Sequence, residues 1–199
     1  LPAGDLEAAE AIKQQAWDKV FAMAKAGSKS DQNVRISAAK RICFDLPPGA
    51  NEDEFRKQLK EQQDELNKLS PDEYLNRRSV FQQNGRPNDG ADRAKARREW
   101  RNRETTNVER QLLKEGWLPE AAATEAARRV GELMKGLDAT HALDWIAGGD
   151  GTISGLGGSA ENQAIGRQWK NGNAAKLDEH AKEQKKQGKK KLDVELDIC

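Results

Sequence analysis

Apolar residues along the chain follow two rhythms, which divide it into helices with a short strand near each end of its larger part. Leu6, Ile12, Trp17, Val20, Phe21 and Met23 lie among alanines and charges over residues 5–26, the spacing of a helix with one apolar face. Gly27 ends that helix and the polar run to Asn33 reads as a linker, so residues 1–33 are expected to be a helical arm and residues 34–199 the main domain. Arg41 to Leu46 is rich in strand-favouring types and is stopped by Pro47-Pro48-Gly49. At the far end Leu192, Val194, Leu196 and Ile198 alternate with acidic residues in a period of two. A lone strand cannot satisfy its own backbone, so these two segments are expected to pair with each other or with a third. The predicted fold is mainly α, a helical domain with a small β-ribbon formed by strands near residues 41–46 and 192–198.

Between the strands the helical period dominates. Phe55, Leu59, Leu66 and Leu69 mark one face of a helix over residues 52–68, and Ser70-Pro71-Asp72-Glu73 is a capping box that starts the next. The breaker-rich residues 84–90 form a turn before a long charged helix to about Lys114. An alanine-rich helix follows to about Leu137, and Ala160 to Trp169 reads as a short one. No internal repeat is visible.

Composition narrows the functional classes. At 199 residues the chain is near the size of one domain, and its 34% charged residues against 36% hydrophobic predict long solvent-facing helices. The net charge of +1 supplies no whole-molecule attraction to nucleic acid, so phosphate binding would have to come from local clusters. No window approaches the roughly 20 apolar residues that span a bilayer. The start at Leu1 rather than Met suggests a piece of a longer polypeptide. Cys43 and Cys199 are too few for a metal cage or a disulfide framework; two buried thiols is the ordinary expectation. Pairing of the two strands would bring the cysteines together and open a disulfide as the second reading.

Chemistry concentrates in the segment leaving the alanine-rich helix, Asp138-Ala-Thr-His-Ala-Leu-Asp-Trp-Ile-Ala-Gly-Gly-Asp-Gly. On a helix, His141 and Asp144 would share a face. A neutral imidazole can take a proton from water, while a carboxylate can orient that imidazole or hold a divalent cation. Spacing alone favours a structural or solvated pair. Glycines 148–158 lack the lysine-serine ending of a phosphate-cradling loop and are expected to be a mobile loop beside the site, with Asp150 in it. Basic clusters lie around Trp100 and over Lys182 to Lys191, where a solvated helix face is the ordinary reading. His180 reads as an exposed helix residue.

Four ordered blocks change the weighing. The run His141-Ala-Leu-Asp144-Trp-Ile-Ala-Gly148-Gly149, the segment Phe55 to Asn67, the run Tyr74-Leu-Asn-Arg-Arg78, and the segment Asn162 to Trp169 with Val194-Glu195-Leu196 before Cys199, together resemble the polymorphic toxin type 15 nuclease family over about residues 40–199. Leu143 stands where the family often has proline, and Ala164 and Arg167 stand where it often has serines. The resemblance implies the toxin end of a larger secreted protein, often a type VI secretion effector reached through an adaptor. It would hydrolyse DNA in the cytoplasm of a competing bacterium, with an immunity protein protecting the producer. His141 is then the expected general base, and Asp144, with Asp150 nearby, the expected holder of a divalent ion, magnesium first; in the alternative assignment Asp144 orients His141. Arg78, Arg93, Arg97, Arg98, Arg101 and Arg167 are the expected nucleic-acid contacts, and Gln58, Gln62, Asn162, Gln168 and Trp169 the expected supporting residues. An RNase and a non-enzymatic helical binding module are the alternatives.

Overall fold

The computed structural model describes residues 39–199, and the arm expected over residues 1–33 lies outside them. In chain order the elements are β1 (Lys40–Phe44), α1 (Glu52–Leu66), α2 (Pro71–Asn84), α3 (Gly90–Lys114), α4 (Pro119–Leu133), β2 (Leu137–His141), β3 (Ile153–Gly158), α5 (Ser159–Gln168), α6 (Ala174–Lys186) and β4 (Val194–Ile198). A single 3-10 turn follows α4, another occupies Trp145–Ala147, and a π-type turn joins α5 to α6. The mainly α class and the pairing of the two end strands are as the sequence predicts.

That pairing is parallel, with Lys40 opposite Val194 and Phe44 opposite Ile198. Parallel strands need a long crossover, and here every helix of the domain lies between them. The main core packs beneath this ribbon: Ile42, Phe44 and Leu196 from the strands meet Phe55 and Leu59 of α1, Tyr74 of α2, Ile165 of α5, Trp169 and Leu177. A smaller cluster of Leu112, Ala122 and Ala126 joins α3 to α4, where alanine lets the two helices approach closely.

Helix starts follow local chemistry. Asn51 caps α1 by accepting the Glu54 amide, and Ser70 and Glu73 cap α2 reciprocally with Pro71 in the first turn. Arg78 of α2 donates to both oxygens of Asp178 on α6, at 2.8 and 2.9 Å, and Tyr74 donates to the same carboxylate, so α2 and α6 are stapled by a nearly buried ion pair.

Three expectations are corrected. The alanine-rich helix ends at Leu133, and Leu137–His141 is a strand, so His141 and Asp144 do not share a helix face. The glycine-rich segment is not a free loop: Ile153–Gly158 pairs antiparallel with β2, with a bulge between Thr140 and His141. Its glycines serve close approach, since a Cβ on Gly157 would lie 2.6 Å from Glu54 Oε1 of α1. Finally, Cys43 and Cys199 are exposed and disulfide-bonded rather than two buried thiols, because the strand register sets their Cα atoms 5.4 Å apart. No helix among the described residues is long and apolar enough to cross a membrane.

Candidate active site

His141 closes β2, and the bulge beside it displaces the end of the strand from the regular ladder. Asp144 follows as the cap of the 3-10 turn: its Oδ1 accepts the Ile146 amide at 2.8 Å. The chain then folds back so tightly that the Gly149 amide bonds to the Asp144 carbonyl, and a Cβ on Gly149 would stand 2.0 Å from the Leu143 oxygen. Only glycine fits there, which gives the Ala-Gly-Gly run a physical reason.

The partner of His141 comes from elsewhere in the chain. Asp89 occupies the N-cap position of α3 but makes no capping bond with its side chain. Its carboxylate instead turns toward β2, with Oδ2 lying 2.8 Å from His141 Nε2. Both side chains are under a tenth exposed. The two atoms are in contact but off line for a hydrogen bond, and they become an ion pair only when the imidazole is protonated. Trp145 Nε1 and an Arg86 guanidinium nitrogen donate to the same oxygen, and Arg93 Nε lies 2.9 Å from the other.

Electrostatics follow from this cluster. Burial works to raise the Asp89 carboxyl, but the hydrogen bonds from Arg86 and Trp145 and the charges of Arg86 and Arg93 outweigh it and hold the group ionised far into acid. Burial dominates at His141 and lowers its pKa below the ordinary imidazole value, against the opposing pull of Asp89 and Asp144 and with Arg86 acting in the same downward sense. The site therefore holds a neutral imidazole against a permanent carboxylate. Such an imidazole can accept a proton, and the carboxylate stabilises the cation that results.

Other expected site residues are placed as follows. Arg93 joins the cluster. Arg97 donates to the Leu137 and Met134 carbonyls and so holds the start of β2. Arg78 is committed to Asp178 and to the Ile146 carbonyl. Arg98, Arg101 and Arg167 are exposed and make no ion pair among the described residues. Asp150 is exposed, accepts the Thr152 amide and faces Arg77 at 3.4 Å. Gln62 accepts from Trp169 Nε1 inside the core, Gln168 bonds both backbone groups of Asp45, and Gln58 bonds Glu54 and the Gly158 carbonyl. Asn162 is half-buried on α5. His180 is half-buried too, its Nε2 3.0 Å from the Asp193 carbonyl.

Among the described residues no three His, Cys, Asp or Glu side chains converge as a metal cage. Asp144 has one oxygen beyond its capping bond, enough for a hydrated magnesium ion that completes its shell with water and phosphate. A metal at Asp150 would have to compete with Arg77.

Asp89 and Arg86 are absent from the sequence reading. Both sit in the residue 84–90 turn, where Asp before a helix reads as an ordinary cap.

A family model described as Novel toxin 15 matches residues 50–199. A search of curated proteins finds no match.

Proposed function

The chain belongs to the Novel toxin 15 family, and from that premise we propose that this polymorphic toxin domain is a nuclease that hydrolyses DNA phosphodiester bonds. It acts in the cytoplasm of a competing bacterium, as the delivered end of a larger secreted polypeptide or through an adaptor. A cognate immunity protein restrains it in the producer. The observation that carries the reading is the approach of His141 Nε2 to the buried, arginine-braced carboxylate of Asp89.

His141 takes a proton from the attacking water, since its imidazole is kept neutral by burial. Asp89 stays ionised, fixes the ring and stabilises the imidazolium that forms. Arg86 and Arg93 are each about half exposed, so guanidinium nitrogens not used on Asp89 remain available to a phosphate. The exposed Arg98, Arg101 and Arg167 supply further backbone contacts without reading sequence. Asp144, three residues after His141, would hold a hydrated magnesium ion, with Asp150 as a further carboxylate on the same segment. Such an ion supplies charge neutralisation on the phosphoryl group.

The test is incubation of the purified protein with plasmid DNA and with RNA, with and without EDTA, alongside His141→Ala. Cleavage of DNA that EDTA stops, abolished in His141→Ala with circular dichroism unchanged, is the expected result. DNA cleavage retained in His141→Ala would overturn the assignment. RNA cleavage indifferent to EDTA would make the protein a ribonuclease, and no hydrolysis of either polymer would leave a binding module.

A further inference from the structure

α1 carries a second polar constellation that the nuclease reading does not use. Glu54, Gln58 and Glu61 follow one another at helical spacing on a single face, and that face looks onto the β2–β3 hairpin. Between them lies a cleft of about 80 Å³, also lined by Lys57, Thr140, Ser154 and the Gly155 to Gly157 backbone. This is several times the room one water needs, roughly 10–15 Å³. Neither His141, Asp89 nor Asp144 lines it.

Two side-chain oxygens of its lining residues, Glu54 Oε2 and Gln58 Oε1, are buried without a hydrogen-bond partner among the described residues. Their residues are 1% and 3% exposed, so water at the surface does not satisfy them. The amide orientation of Gln58 is fixed by its neighbours, because Nε2 donates to Glu54 Oε1 at 2.8 Å and to the Gly158 carbonyl at 3.2 Å. Oε1 is therefore the free end. Glu54 Oε1 is also taken by the Gly158 amide, while Oε2 has the Lys57 ammonium 3.7 Å away. Glu61 lies across the mouth, 4.0 Å from the same ammonium, and its Oε2 accepts from Ser154 Oγ at 3.4 Å.

Two carboxylates, an amide oxygen and a hydroxyl, with no sulfur or imidazole, are the donors of a hard cation. Leaving a buried carboxylate oxygen and a buried amide oxygen unmet is costly, and a hard cation is a partner that oxygens of both kinds accept. We propose that Glu54 Oε2, Gln58 Oε1 and the Glu61 carboxylate form a divalent-cation site that ties α1 to the β2–β3 hairpin, separate from the His141–Asp89 cluster. Lys57 is the internal competitor: its ammonium partly neutralises the two glutamates and swings to solvent when the ion enters. The site goes beyond the nuclease assignment and does not require it.

Binding of Mn2+ to the purified protein, read as loss of the free-ion electron paramagnetic resonance signal, tests the proposal without any activity assay. Lys57 and Glu61 are the variants of choice, since their side chains are about a third exposed and their replacement spares the core. An ion should bind with an affinity that drops at least tenfold in Glu61→Gln and rises severalfold in Lys57→Ala, and both changes should persist in the Asp144→Asn background, which removes any ion held at Asp144. Ca2+ should compete with it and raise the melting temperature. Binding that ignores both α1 substitutions, or that is lost in Asp144→Asn and kept in Glu61→Gln, would overturn the site and place the ion elsewhere; so would the absence of binding. Because Asp144→Asn is measured in parallel, failure here leaves the nuclease reading standing.

Discussion

Asp89 shows how much one residue's role depends on where its side chain turns. An aspartate at an N-cap ordinarily accepts an amide of the first turn, worth about 1 kcal/mol. Here the cap is forgone, and the carboxylate is spent on His141, Trp145, Arg86 and Arg93. Its loss should therefore be read in the pH profile more than in folding. Because His141 titrates below its ordinary value of about 6.5, kcat/KM on DNA should rise with pH with its midpoint below that value. In Asp89→Asn the plateau should fall at least tenfold. Its midpoint should also move to lower pH, since the carboxylate charge that favours the imidazolium is gone. A midpoint displaced upward would contradict this coupling. The linkage to stability has the same sense. The His141 contribution is complete above its unfolded value and fades as pH drops through the lower folded value, and the Asp89 contribution is complete above the ordinary carboxylate value and fades as pH falls below it towards the much lower folded value.

Between elements, two contacts decide whether the site is assembled. The Arg78–Asp178 pair joins α2 to α6, and Arg78 also reaches the Ile146 carbonyl in the turn that follows Asp144. Arg78→Leu strands a carboxylate that is only 15% exposed, so urea denaturation should show a loss of about 3–5 kcal/mol. A folded, fully stable variant with weaker DNA binding would instead make Arg78 a nucleic-acid contact. The β3 glycines form the second contact. A methyl at Gly157 would press on Glu54, Gln58 and the Thr140 side chain together. Gly157→Ala should cost about 1–3 kcal/mol in the same measurement and loosen the hairpin that ends on His141. An unchanged midpoint would mean that β3 has room to retreat.

For the domain as a whole, the parallel β1–β4 ribbon brings together segments separated by nearly the full described length, and the Cys43–Cys199 disulfide closes a separation of 156 residues. Chain-entropy arguments assign a loop of that size up to about 5 kcal/mol of stabilisation through the unfolded state. Chemical denaturation with and without a thiol reductant, compared with Cys43→Ser, should show the reduced and substituted proteins equally destabilised. No difference on reduction would mean that the ribbon holds through its backbone bonds and Leu196 packing alone.

What the sequence determined by itself was local or periodic. The capping box at Ser70, the helix around Phe55 and Leu59, the alternation of Val194, Leu196 and Ile198, and the ordered blocks around His141 and Asp144 are written in neighbouring residues. Short-range periodicity carries that information because helices and strands repeat every few residues. The tertiary structure decided the rest. An alanine-rich run and a glycine-rich run give no strand signal of their own; β2 and β3 exist because they pair, with α1 packed on the glycines. The carboxylate that meets His141 lies 52 residues away in a turn, and no spacing rule links the two. Long-range electrostatic partners are chosen by the packing of elements, so Asp89 became visible only once α3 was set against β2.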